Sequence, residues 1–139
     1  MEKKMDLYEE MVAGTRIGYL ASMDNTQPRV RPMTFVLVSG GKLWSSTYDI
    51  SGKMQEFLQN ENVEVCFMDS KYRQLRVEGK IDTSGDREKK RQLLEMNPSV
   101  RNHFADEDDA HYVHLEIVPT RVRWKNAGFS DYEEIAIAP

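Results

Sequence analysis

Residues 29–53 read RVRPMTFVLVSGGKLWSSTYDISGK, and the reading of this stretch decides the fold. Residues 29–38 carry β-branched and aromatic side chains around an X-Pro step, which holds the residue before Pro32 extended. The pattern predicts a strand, with Pro32 at a sheet edge or a bulge because proline has no N–H to give to a ladder. Ser39-Gly40-Gly41-Lys42 supplies two adjacent glycines suited to positive φ, and residues 43–47 return as a second strand. The unit is a hairpin.

Directly after the hairpin come Ser45-Ser46-Thr47, then Ser51-Gly52-Lys53, then Met54, Phe57 and Leu58 at the spacing of a short amphipathic helix. With Ser51 as N-cap, free backbone N–H groups, several hydroxyls and an ammonium converge where strand gives way to helix. That is the outline of a phosphate site. The spacing alone is also met in an ordinary serine cap followed by a surface lysine.

Four pieces occur in order: Arg31-Pro32-Met33, Ser46-Thr47, Ser51-x-Lys53 and Arg73-Gln74-x-x-Val77-x-Gly79-Lys80. Together they resemble the pyridoxamine 5'-phosphate oxidase-like family of FMN-binding split β-barrels, including its general stress protein type, over roughly residues 16–126. The resemblance implies that Arg31 approaches the FMN phosphate, with the backbone of Pro32, Met33 and Thr34 alongside the isoalloxazine. It implies further that Ser46, Thr47, Ser51 and Lys53 hold the phosphate and ribityl chain, and that Gln74 hydrogen-bonds the ring. In this family the cofactor lies between two subunits, so a homodimer is expected, with Trp124 of one subunit flanking the ring held by the other.

Three departures from the family pattern bear on the reaction. Gly52 stands where the vitamin B6 oxidases carry an arginine beside the lysine, and Val36 stands where they carry a lysine for the substrate phosphate. Their C-terminal Arg-x-His segment has no match after Trp124. The resemblance therefore implies a flavin protein whose substrate is not pyridoxamine phosphate.

Composition sets wider bounds. At 139 residues the chain reads as a single domain, long enough to bury roughly two-thirds of its unfolded surface. Nineteen basic against twenty-three acidic residues give a net charge of −4, which argues against nucleic acid or an anionic membrane as the main partner. The lone Cys66 excludes an intrachain disulfide and, inside the apolar run 63–68, reads as a buried inert thiol. The first fifteen residues are charged from the second and lack the apolar core of a signal peptide, and no run reaches the roughly 20 apolar residues of a membrane span. The expectation is a cytoplasmic protein.

The rest of the chain fits a mainly β architecture with peripheral helices, a split β-barrel of six or more mostly antiparallel strands. Met5, Tyr8, Met11 and Val12 predict an amphipathic helix over 3–13 that ends at Gly14. Strands are expected at 17–23, 63–68 and 72–82, with turns at 24–28 and 69–71. Residues 86–96 predict an outer helix whose basic run is a solvated face, followed by another helical turn within 99–104. The acidic run 106–109 lacks the full ligand spacing of a calcium loop and reads as solvated. Two last strands are expected at 111–118 and 121–125, broken at Pro119, with a short strand in the tail 129–137.

Catalytic equipment is sparse: no dinucleotide fingerprint, no nucleophile elbow, no paired metal cysteines. His111 and His114, three apart on a strand, point to opposite faces and share no metal. Arg76 and Arg123 sit in alternating strand patterns and read as surface residues. Redox chemistry needs a borrowed cofactor. The readings carried forward are an FMN-dependent oxidoreductase transferring hydride at flavin N5 to or from a small-molecule electron donor or acceptor, a flavin carrier or sensor without turnover, a haem-binding barrel, and a deazaflavin user.

Overall fold

The computed structural model describes residues 2–137, with side chains from Met5 onward. Its elements are α1 (Glu2–Thr15), β1 (Ile17–Asp24), β2 (Gln27–Thr34), β3 (Val36–Val38), β4 (Lys42–Tyr48), α2 (Gly52–Gln59), β5 (Asn62–Met68), β6 (Gln74–Asp82), α3 (Arg87–Met96), β7 (Tyr112–Lys125) and β8 (Glu133–Ile135).

The strands pair in the order β2-β1-β5-β6-β7-β4-β3, with β8 added to β7. Every pairing is antiparallel. In a flat sheet the two ends of that path would lie about 29 Å apart, at about 4.8 Å per strand. Yet β2 and β3 are joined through Phe35 alone, whose N–H donates to Arg16 O at 2.7 Å. The sheet must therefore curl until its edges nearly meet, and the result is a split barrel with a seam beside β2.

The curl follows from side-chain alternation. On β5 Val63, Val65 and Phe67 are buried, and on β6 Leu75, Val77 and Ile81 face them. Tyr8 and Met11 of α1 and Phe57 of α2 close the ends of this interior. A second, smaller core lies outside the barrel, where Leu93, Leu94, Val100 and Phe104 pack on Trp44 and Tyr112. Each fully buried leucine contributes roughly 1.5–3 kcal/mol, more than the Asp86 cap on Lys89 N at the start of α3. Packing therefore holds that helix in place.

Gly40 and Gly41 take φ of 82° and 74°, as the two-glycine turn between β3 and β4 requires. Pro32 lies on the edge strand β2, opposite Tyr19, where its missing N–H costs no ladder bond. The tail strand also forms, as β8 against residues 122–124 of β7.

Five expectations need correction. The strand expected over 29–38 is two: β2 ends at Thr34 and pairs with β1, the chain turns at Phe35, and only Val36–Val38 forms the hairpin with β4. Helix α1 runs past Gly14 to Thr15 and is stopped by Arg16, which takes φ 58° while its N–H bonds Val12 O at 2.8 Å. Pro119 does not break the last strand: β7 continues through it, and the register slips by one residue opposite Glu78 and Gly79, a bulge that tolerates proline. Cys66 shares the outer face of β5 with Glu64 and is only half-buried, because alternation, not the apolar run, decides its side. Partial burial still pushes its thiol above the ordinary value, against the pull of Arg76, so the unreactive protonated form prevails. The basic run of α3 is solvated only in part: Arg87 and Arg91 form exposed ion pairs, but Lys89 Nζ reaches Glu116 Oε2 at 3.3 Å and Lys90 lies over the Tyr112 ring. Among the described residues no helix is long and apolar enough to cross a membrane.

Candidate functional site

The β3–β4 pairing ends at Val36 and Trp44, but β4 continues to Tyr48 along β7. Over residues 45–48 one backbone edge of β4 therefore has no strand beside it. Edge strand β2 faces this gap, and Ser45 Oγ bridges it by donating to Thr34 O at 2.7 Å. The seam opens into a hollow of about 350 Å³ lined by Ile17, Pro32, Met33, Thr34, Ser45, Ser46, Thr47, Tyr48, Lys53, His103 and Phe104. Its volume falls in the range of about 300–1,000 Å³ of small-molecule sites.

Six of the residues singled out in the sequence thus line one hollow: Pro32, Met33, Thr34, Ser46, Thr47 and Lys53. Ser51 borders it as the residue before α2. Its hydroxyl makes no cap bond but shares a hydrogen bond with Thr47 Oγ1 at 3.2 Å. The N–H groups of Gly52 and Lys53 head the helix and have no intrahelical acceptor.

Arg31 does not line the hollow: its guanidinium is held against Glu56 and Ser22 by a closed ring of bonds. Its Nη2 donates to Glu56 Oε1 at 2.5 Å, its Nη1 to Ser22 Oγ at 2.7 Å, and Ser22 Oγ donates to the same Glu56 oxygen at 2.6 Å. Burial opposes ionisation of Glu56, but the hydrogen bonds from Ser22 and Arg31 outweigh it and hold the carboxyl below its ordinary range. Lys53 is pushed below its ordinary value, first by burial and then by the Arg31 charge, with Glu56 opposing. Two cations against one carboxylate leave a positive excess that an anion would relieve.

Gln74 and Trp124 lie elsewhere. β6 is three strands from β2, so Gln74 stands roughly 14 Å across the sheet from Thr34. Gln74 pairs with Lys125, and Leu75 pairs with Trp124 on the core side, so Gln74 and Trp124 point to opposite faces of one chain. The Trp124 indole Nε1 is buried without a partner among the described residues.

Val36 packs on the second core and does not line the hollow, and a Cβ on Gly52 would meet open space. His111 is exposed, 3.0 Å from Asp49 Oδ1, whereas His114 is buried, so the two do point apart. No group of three metal-binding side chains occurs among the described residues. Arg76 and Arg123 are less open than expected, since Tyr132 lies over both.

Several residues of the site were not visible in the sequence. His103 and Phe104 reach the hollow from the segment after α3, where no spacing links them to β4. Glu56 did carry a faint signal, three residues beyond Lys53 on the same helix. Two other hollows are larger, about 780 Å³ between α1 and β3 and about 800 Å³ beside the end of α2, but neither gathers surplus cations. The first carries Arg16 with Glu9, and the second pairs Lys80 with Glu61 at 3.2 Å.

Comparison with known proteins agrees with the fold. The family model described as pyridoxamine 5'-phosphate oxidase matches residues 5–126. A NimC/NimA family protein from Clostridium acetobutylicum has 26% sequence identity and a TM-score of 0.82, over 95% of this chain and 91% of its own. General stress protein 26 from Bacillus anthracis has 22% identity and a TM-score of 0.80, over 97% and 100%. A heme binding protein from Mycobacterium smegmatis shares the fold at 14% identity and a TM-score of 0.76, with 95% of this chain spanning 57% of that one. No curated protein matches the sequence.

Proposed function

The chain belongs to the pyridoxamine 5'-phosphate oxidase family, and on that footing we propose that it binds FMN in the seam between β2 and β4 and works as a homodimeric oxidoreductase. The observation that carries the proposal is Lys53, which lines the hollow with the hydroxyls of Ser46 and Thr47, Ser51 being bonded to Thr47, while the neighbouring Arg31 is paired with Glu56. This donor set fits a phosphate monoester: hydroxyls and helix-head N–H groups for its oxygens, cations for its charge.

When bound, FMN supplies hydride exchange at its N5 with a small-molecule electron donor or acceptor. The chain's own residues bind and orient it. Lys53, with Arg31 behind it, would neutralise the phosphate, Ser46 and Thr47 would hold the ribityl chain, and the backbone of Pro32, Met33 and Thr34 would border the ring. Gln74 and Trp124 stand outside this seam in their own subunit, Gln74 on the outer face three strands from β2 and Trp124 packed on the core side, so the seam itself carries the proposed contacts. Val36, turned into the second core, leaves the substrate phosphate of a vitamin B6 oxidase without a lysine, so pyridoxamine phosphate is not the substrate. A cytoplasmic location is part of this proposal.

A second copy of the chain is supported by the outer face of β1 and β5. Ile17, Tyr19 and Met68 are 47%, 51% and 48% exposed there, beside Pro32 and Cys66. Such a contiguous apolar surface favours a partner.

A flavin carrier without turnover is the second reading, because among the described residues the titratable side chains lining the hollow are only Lys53, His103 and Tyr48. The shared fold of the heme binding protein keeps haem as an alternative cofactor, and a deazaflavin is another. The visible spectrum of the purified protein separates flavin from haem. Anaerobic mixing of the FMN-loaded protein with NADH or NADPH then separates the first two readings: bleaching of the flavin supports the oxidoreductase, and an unchanged spectrum supports the carrier.

A further inference from the structure

Five strands meet one rim of the barrel in a single row. Ile17 begins β1, Thr34 ends β2, Met68 ends β5, Gln74 begins β6 and Lys125 ends β7. Ile17 pairs with Thr34, Met68 with Gln74, and Gln74 with Lys125, so the row runs across neighbouring strands. Large apolar side chains stand open along it: Ile17, Met68, Tyr72 between β5 and β6, and Phe129 in the loop after β7. Single exposed apolar residues are ordinary, but four on one rim mark a contact surface.

Phe129 is the extreme case, at 112% exposure, yet its loop is firmly held. Lys125 is buried with no carboxylate at salt-bridge distance among the described residues, and its Nζ donates to Asn126 O at 3.0 Å and to Gly128 O. Ser130 Oγ donates to Asn126 O at 3.3 Å, and Gly128 takes φ 89°, which the turn between them needs. Beyond the loop, Glu133–Ile135 is tied to residues 122–124 of β7. Burying an ammonium costs free energy, and here its donors go to the loop's own carbonyls. The phenyl ring is thus presented in a preset position, which lowers the entropy lost when it docks.

The same rim holds a place for it. The seam hollow opens at Ile17 and Thr34, where Ile17, Pro32, Met33 and Phe104 supply apolar wall. Thr34 stands roughly 10 Å along β2 from Arg31, the neighbour of Lys53, so a ring seated at this lip leaves the cationic corner free. A rim that carries both the projecting ring and the hollow is complementary to itself, as a two-fold contact requires. The exposed face of β1 and β5, on which Ile17 and Met68 also lie, is continuous with it. Resting on the self-association proposed above, we propose that Phe129 of each subunit docks at the Ile17 lip of the other's hollow. The site is then completed only in the dimer, and the docked ring keeps water from its apolar end.

The test needs no cofactor. In a Cys66→Ser background, chains carrying Phe129→Cys are co-expressed with chains carrying Ile17→Cys and treated with a short bis-maleimide cross-linker. The expected result is a cross-linked heterodimer, with each variant alone giving none. Separately, Phe129→Ser removes a side chain that packs on nothing in its own chain, so the fold is kept, and the dimer dissociation constant should rise roughly tenfold or more in sedimentation. A dimer that yields no cross-linked heterodimer, or one whose dissociation constant Phe129→Ser does not move, overturns the proposal and leaves self-association through β1 and β5 standing. A wild-type chain that is monomeric overturns both. A cross-link in a chain that binds no FMN supports the proposal while removing the flavin reading.

Discussion

Arg31 and Glu56, twenty-five residues apart, meet at 2.5 Å, and the carboxylate oxygen they share also accepts the Ser22 hydroxyl. This ring of bonds ties β1, β2 and α2 together at the edge of the hollow, and both charged side chains are largely buried, 19% and 12% exposed. Glu56→Ala would leave the guanidinium unpaired in that setting. A loss of about 2–4 kcal/mol of stability is expected, toward the lower part of the range for broken buried pairs because some solvent reaches the site. Urea denaturation at neutral pH measures it, and a loss below about 0.5 kcal/mol would show the ring to be ornamental.

Lys53 lines the hollow beside Arg31 and has no carboxylate of its own at salt-bridge distance among the described residues. A charge-assisted phosphate contact is worth about 1.5–3 kcal/mol, so Lys53→Ala should weaken FMN binding roughly ten- to a hundredfold. Fluorescence titration with FMN reads this directly, and unchanged affinity removes Lys53 from the site.

His114 is fully buried between the Trp44 ring, 4.5 Å away at its centroid, and the backbone of Gly85, and neither ring nitrogen has a partner among the described residues. Burial pushes its pKa down to about 4, with Lys89 adding to the effect and Glu116, Asp82 and Asp86 opposing it. The unfolded chain titrates this group near 6.5, so between pH 6.5 and about 4 the unfolded state holds a proton that the folded state lacks. Stability is therefore complete above pH 6.5 and falls as the pH drops through that window, by about 3 kcal/mol from this residue. Glu56, whose folded value is depressed, adds a further loss as the pH falls below its unfolded value of 4.5. His114→Leu should flatten the upper part of the acid limb in thermal melts from pH 7 to 4.5, and a limb of unchanged slope would exclude His114 as its source.

Gly79 lies at the register slip between β6 and β7, where an added Cβ would come within 2.6 Å of Val118 O and 2.7 Å of an Ile117 methyl. The carbonyl is backbone and cannot swing aside. Gly79→Ala should cost about 1–3 kcal/mol, as overpacking does, and lower the melting temperature, whereas Gly52→Ala, which meets nothing within 4 Å, should not.

Tyr19 is half-exposed on the outer sheet face, opposite Pro32 on one side and Cys66 on the other. If a second copy covers this face, Tyr19→Glu would bury a charge at the contact and should halve the mass seen by light scattering. A wild-type chain already monomeric at tens of micromolar would remove the dimer from the proposal.

Much of the barrel was legible before any coordinates, because strand alternation and turn chemistry are local. The hairpin through Gly40 and Gly41, the burial of Val63, Val65 and Phe67, and α3 beginning at Asp86 all follow from neighbours a few residues apart. The misreadings share one cause. Cys66 sits in an apolar run, yet its side is set by the face it shares with Glu64, and β7 passes through Pro119 because Thr120 bulges out of the pairing with Glu78 and Gly79, residues some forty positions earlier in the chain.

By itself the order of residues determined a curled antiparallel barrel and brought Ser46, Thr47, Ser51 and Lys53 to one corner, all within eight residues of one another. Only the tertiary structure decided what surrounds that corner: Glu56 answering Arg31, His103 and Phe104 arriving from beyond α3, and Tyr132 reaching back 58 residues to Gln74. The physical reason is that a two-residue period states that side chains alternate but not which face turns inward or what crosses it. Those choices are made when the edges of the sheet curl together, and that closure depends on contacts between residues far apart in the chain.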